Sequence, residues 1–108
     1  SPTLHLPPGA SVYVYSSVFA PTKLSATIVH NWQWFDESKS RWVSLSDIAF
    51  PISGGRDEGY RGYSTKNVVP EGHWRVDVQT ENGRVIGRIK FNVTYVEELP
   101  RLFTTLRQ

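Results

Sequence analysis

The chain has 108 residues, a length that suits one domain able to bury a core of its own. It contains no Cys, which excludes thiol catalysis, thiolate metal sites and disulfides while leaving the redox compartment open. Its net charge of +2 does not point to nucleic acid, because phosphate binding depends on clustered Lys and Arg.

Residues 1–10 read as a linker, since Pro2, Pro7, Pro8 and Gly9 oppose both helix and ladder. Position 1 is not Met, so the chain is expected to begin inside a longer protein or at a processing site. No Asp, Glu, Lys or Arg occurs from Ser1 to Thr22. Pro and Ser interrupt that stretch, whereas a spanning helix needs about 20 mostly apolar residues. No signal-peptide pattern is present, and any membrane anchor of the parent protein is expected outside this fragment.

From Ser11 the dominant period is two, the signature of strands, and a sandwich domain is predicted over residues 11–94. "SVYVYSSVF" is a strand with apolar residues on both faces, stopped by Pro21. "SATIVHNWQWF" puts Ile28, His30, Trp32 and Trp34 on one face and Val29, Asn31, Gln33 and Phe35 on the other. "DESKS" is a polar turn, and "RWVSLSDIAFPI" returns as a strand with room for a bulge. Residues 53–59, "SGGRDEG", are turn formers and predict a loop; "YRGYSTK" is a short strand before the loop "NVVPEG".

"GHWRVDVQTENGRVIGRIKFNV" is a hairpin, with Asn82-Gly83 as a type I′ turn signal. A two-residue loop there pairs Thr80 with Val85, Val78 with Gly87, Val76 with Ile89 and Trp74 with Phe91. That register places Trp74, Val76, Val78, Val85, Ile89, Phe91 and Val93 in the core. It places His73, Arg75, Asp77, Gln79, Ile86, Arg88, Lys90 and Asn92 toward solvent, with Asp77 opposite Arg88. The tail over residues 95–108 has room for a short helix from Pro100. Short strands, polar turns and no long helical pattern predict an all-β fold: an antiparallel immunoglobulin-like β-sandwich of about seven strands.

Four stretches together resemble a known family: His30-x-Trp32; Arg61-x-Tyr63-Ser64-x-Lys66; Gly72-x-Trp74-x-Val76; and Gly83 followed by Phe91-x-Val93. They are similar to small bacterial β-domains of unknown function, often found at the C-terminal, extracytoplasmic end of multi-pass membrane proteins. The resemblance spans Ile28 to Val93 and implies a β-sandwich on the periplasmic or extracellular face of a membrane protein. It implies no activity.

Candidate binding residues are His30, Trp34, Trp42, Arg61, Tyr63 and Lys66. Trp32 and Trp34 plug the core or form a stacking platform for a flat ligand such as a sugar ring; Trp34 is nearer the turn, and Trp42 is placed to pack against it. His30 is a hydrogen-bonded core imidazole or a site residue, but it has no ligand spacing and no nucleophile. Arg61 and Lys66 near two hydroxyls would hold a carboxylate or phosphate; alternatively Arg61 pairs with Asp57 or Glu58 and Tyr63 packs as an inter-sheet corner. No nucleophile elbow, metal-ligand spacing or phosphate-cradling loop occurs, so no catalytic residue, metal or cofactor is predicted. The function expected is a non-catalytic accessory domain of a bacterial membrane-associated protein that binds a protein partner or cell-envelope component. The alternative is a carbohydrate-binding module using exposed Trp and Tyr against a glycan.

Overall fold

Period-two alternation makes nearly every segment a strand. The computed structural model describes residues 1–18, 27–55 and 59–97. Among them eight strands follow in order: β1 (Thr3–Leu6), β2 (Val12–Val18), β3 (Thr27–Asp36), β4 (Arg41–Pro51), β5 (Ser53–Gly55), β6 (Gly59–Lys66), β7 (Gly72–Thr80) and β8 (Val85–Tyr95). They build a large sheet in the order β1-β8-β7-β3-β4 and a small sheet in the order β2-β6-β5. The two sheets pack as an immunoglobulin-like sandwich.

Two segments differ from the sequence reading. Thr3–Leu6, inside the expected linker, is a strand that pairs in parallel with β8, from Thr3 opposite Asn92 to Leu6 opposite Tyr95. The prolines flank this strand rather than fill it, and Leu4 and Leu6 pack against the core. Ser53–Gly55, expected as loop, pairs with β6 as a short edge strand. Tyr95 closes β8 one residue beyond the expected boundary. The possible helix from Pro100 lies outside the described residues. Among the described residues no helix is long and apolar enough to cross a membrane.

The core forms where the inner faces meet. Trp32 of β3, Trp74 and Val76 of β7, Phe91 and Val93 of β8, and Val12 and Val14 of β2 are buried together with Val69. Trp32 stands edge-on to Trp74 at 6.3 Å, and Trp74 stacks on Phe91 at 6.4 Å. Both indoles satisfy their N–H: Trp74 Nε1 donates to Pro70 O at 2.8 Å and Trp32 Nε1 to Ser64 Oγ at 3.0 Å. Truncating a buried Trp to Ala would cost about 3–5 kcal/mol.

The last hairpin keeps the expected register from Val78 opposite Gly87 to Trp74 opposite Phe91, but its end is built differently. Gly83 has φ +89° while Asn82 is not among the residues with positive φ, so the turn is not type I′. Gly83 N donates to Thr80 O and Thr80 N donates to Arg84 O, which makes a three-residue loop with glycine in the left-handed position. The longer loop shifts the pairing by one, so Gln79 faces Val85; a bulge at Ile86 then restores the register. Val85, now opposite the outward-facing Gln79, is 47% exposed; Ile89, expected in the core and still opposite Val76, is 37% exposed because it borders the cavities between β8 and β2. A second bulge leaves Leu45 unmatched in β4, between the pairs Gln33–Ser44 and Trp32–Ser46.

Only Ile52 separates β4 in the large sheet from β5 in the small one, so the chain changes sheets at Pro51. Phe50 lies beside the crossing and its ring covers Gly62 of β6: a Cβ at that glycine would come within 2.1 Å of Phe50.

Candidate functional site

His30 sits on the inner face of β3, wholly buried, between the two sheets. Its Nε2 is 2.7 Å from Ser16 Oγ of β2 and its Nδ1 is 2.6 Å from Ser64 Oγ of β6. Donor bookkeeping fixes the direction of one bond to Ser64. Trp32 Nε1 can only donate, so Ser64 Oγ accepts from it. Ser64 Oγ keeps a second lone pair, so the imidazole proton sits either on Nδ1, donated to Ser64, or on Nε2, donated to Ser16, and the other nitrogen accepts from its serine. Burial also pushes the His30 pKa down to about 4, so the ring is neutral near pH 7. Phe50 closes the remaining side edge-on at 4.7 Å. His30 clamps the sheets together and presents nothing to a ligand.

Trp34 and Trp42 do not meet. Trp34 shares the inner face with Trp32, is half-buried, and donates from Nε1 to Glu71 O at 2.9 Å. Trp42 pairs opposite Phe35, on the outer face of the large sheet. It packs edge-on against Phe35 at 5.3 Å, and the Arg75 guanidinium lies 4.4 Å from the centre of its ring. Two coplanar exposed indoles, as a sugar platform needs, are not formed by this pair.

The outer face of the large sheet is not the solvated surface expected. Asp77 is 3% exposed, and Asn31 and Gln33 are buried beside it. Asp77 accepts from Arg88 Nε at 2.5 Å, Arg88 Nη2 at 3.0 Å and Gln33 Nε2 at 2.8 Å. Gln33 Nε2 also donates to Asn31 Oδ1, Arg75 Nε donates to Gln33 Oε1, and Asn31 Nδ2 reaches Ser44 Oγ and Asp47 Oδ1. One polar ladder thus crosses β4, β3, β7 and β8. The Arg88 hydrogen bonds hold the Asp77 carboxyl below the usual carboxylate range. The signal was present in the alternation of Asn31 and Gln33 opposite the Trp face, but their partners on β4 and β7 lie elsewhere in the chain.

Arg61, Tyr63 and Lys66 do not converge. Tyr63 and Lys66 are three residues apart on one strand and point to opposite faces. Lys66 turns inward along the sandwich rim, where Nζ donates to Ser46 Oγ at 2.8 Å. Asp57 and Glu58, the suggested partners of Arg61, lie outside the described residues. Tyr63 is no inter-sheet corner: it lies on the outer face of the small sheet, 53% exposed.

There Tyr63 joins two residues missed in the sequence. Tyr15 is its direct cross-strand partner, with ring centroids 5.3 Å apart, and Tyr13 is its diagonal neighbour at 6.0 Å. Tyr13 and Tyr15 are 55% and 69% exposed, while Val12 and Val14 between them point into the core. Arg61, opposite Ser17, extends the row. A cavity of about 500 Å³ opens beside it, lined by Tyr15, Ser16, Phe50, Arg61 and Tyr63 among others. Among the described residues no group of three or more His, Asp or Glu side chains is placed to hold a metal ion.

Two-sheet topology and the buried aromatic centre define an immunoglobulin-like β-sandwich. A solved structure described as that of NK cell receptor Nkp44, a triggering partner in natural cytotoxicity, superposes with a TM-score of 0.56 at 15% identity, covering 89% of this chain and 98% of that one. This likeness concerns the fold alone. No curated protein matches the chain. Residues 25–93 match the family described as protein of unknown function (DUF2914), and the chain belongs to that family.

Proposed function

We propose that this domain is a non-catalytic interaction module that binds a protein partner or cell-envelope component through the outer face of β2 and β6. Tyr13, Tyr15 and Tyr63 are the anchors, and Arg61 is the charged neighbour. The observation that carries the reading is the row of three adjacent tyrosines, their rings tilted against one another and each more than half exposed, beside an open cavity. Three adjacent rings left in water cost stability that burial against a partner would recover, and Tyr and Arg dominate the energetic centres of protein interfaces. We place the domain on the periplasmic or extracellular side of a bacterial membrane-associated protein, in keeping with the family resemblance.

The test is a photo-crosslinking residue at position 63 in the full-length parent protein, expressed in its native host. The expected result is a discrete protein adduct that is absent when the same residue replaces Ser38, in the turn at the opposite end of β3. In a binding assay with that partner, Tyr63→Ala would weaken affinity by about 2 kcal/mol, roughly thirtyfold. Equal adducts from both positions would discard this face. Protease protection of the domain in intact cells, lost on permeabilising the cytoplasmic membrane, would discard the extracytoplasmic placement.

A further inference from the structure

The small-sheet tyrosines leave a second feature unexplained, on the side of the sandwich where β2 and β8 face each other. β8 pairs with β7 along almost its whole length, but β1 covers its other edge only from Asn92 onward. Among the described residues nothing pairs with that edge between Val85 and Phe91. Backbone direction follows from alternation. Asn92 N donates to Pro2 O on the β1 side, so the N–H and C=O groups of Lys90 and Arg88 point the same way and meet no strand. Across the gap, β2 pairs with β6 on one side, and among the described residues no strand pairs with its other edge.

The floor between these edges is apolar. One cavity of about 550 Å³ is lined by Ser16, Val78, Ile86, Gly87, Arg88 and Ile89 among others, and a second of about 240 Å³ continues it past Phe91. Ile86 and Ile89 are 46% and 37% exposed there. A solvated edge strand is usually guarded by charge or bulges with apolar side chains turned away. Here the unpaired backbone and the exposed apolar side chains occur together. The charge along it is mainly positive: β8 carries Arg88 and Lys90 and Arg84 precedes it, none of β1, β2 and β8 contains a carboxylate, and Glu81 lies at the far end in the hairpin loop. Arg88 is already matched by Asp77, so Arg84 and Lys90 set the preference for an occupant.

We propose that the β8 edge from Val85 to Phe91 is a strand-docking site, at which a partner protein adds an extended segment of alternating apolar and acidic residues. Main-chain bonds to Arg88 and Lys90 would hold the added strand, its apolar side chains would cover Ile86 and Ile89, and its carboxylates would face Arg84 and Lys90. Tyr15 lines both cavities and Tyr13 the second, so the site borders the tyrosine row, but the backbone groups and charges of β8 that would hold the strand are not part of that row.

The probes are two eight-residue synthetic peptides, one alternating Val with Glu and the other Val with Lys, titrated into the chain by amide NMR. The Val–Glu peptide is expected to slow hydrogen exchange at Arg88 and Lys90 while the Val–Lys peptide leaves both unchanged. Lys90→Pro removes one outward N–H and leaves the face toward β7 untouched, as edge strands tolerate. It is expected to weaken Val–Glu binding at least tenfold. Lys90→Glu, which keeps the backbone donor, is expected to weaken it as much through charge, and it decides the question if the proline variant does not fold. The proposal is overturned if neither peptide protects these amides, if both bind alike, or if Lys90→Glu binds the Val–Glu peptide as the parent does. It is equally overturned if the chain alone forms a dimer in which the same amides are protected, because a second copy would then be the occupant.

Discussion

Acidification should unlock the clamp between the sheets, and the size of the effect can be worked from His30. An ordinary imidazole titrates near 6.5, and burial lowers His30 to about 4. The unfolded chain therefore takes up a proton between those values while the folded chain does not. Stability is complete above pH 6.5 and falls as the pH drops toward 4. At about 1.4 kcal/mol per tenfold, the full gap amounts to about 3 kcal/mol, with no discount for solvent because the ring is wholly buried. The structural reason is specific. A charged imidazole must donate from both nitrogens, so neither serine can give it a hydrogen and both serine protons must find other acceptors. The assay is urea unfolding at intervals from pH 8 to 4, in the parent and in His30→Gln. His5 and His73 are exposed, so His30 is expected to dominate the slope. The parent should lose about 3 kcal/mol across the range. His30→Gln should start lower at pH 8 and stay nearly flat. A flat parent curve, or an equal slope in the variant, refutes the reasoning.

Three further outcomes follow from the geometry. Asp77→Asn places an amide N–H against a donor whichever way it turns, Arg88 Nε on one side or Gln33 Nε2 and Arg88 Nη2 on the other, and removes the charge facing Arg88. Because the Arg88 side chain is 41% exposed and can turn to water, the expected loss is about 2 kcal/mol rather than the larger cost of a fully buried pair, read from chemical denaturation at pH 7. Since the Asp77 pKa is depressed, that contribution is present above the usual carboxylate value and lost as pH falls through the lowered one, so the two curves should converge in strong acid. Gly62→Ala drives a methyl into the Phe50 ring and should cost about 1–3 kcal/mol; Gly62→Ala combined with Phe50→Leu should recover part of that loss. Gly83→Ala meets open space but keeps a positive φ, so its cost of about 1–2 kcal/mol should exceed that of Asn82→Ala in the same melting assay.

The inner face of β7 and β8 was legible because Trp74, Val76, Phe91 and Val93 alternate without interruption toward a single core. The hairpin end was not. Asn-Gly supports either a two-residue turn with both residues at positive φ or a longer loop with only the glycine there, and the choice is made by strand twist and by the bulge at Ile86. β1 left no local trace, since four residues between prolines gain their pairing from Asn92 to Tyr95, almost ninety positions away. The opposite facing of Tyr63 and Lys66 was available from strand parity, whereas the exposure of Tyr13 and Tyr15 depended on knowing that β2 and β6 are neighbours. His30 was recognisable as an inward side chain, but its two serine partners come from two other strands and cannot be inferred from spacing.

Hydroxyl-radical footprinting of the protein, purified and free and then in its native cells, tests the interaction reading most directly. Tyr13, Tyr15 and Tyr63 should oxidise readily in the free protein and be shielded in the native setting, with Trp32 and Trp74 unreactive in both. Tyrosines oxidised to the same extent in the two states would contradict the account.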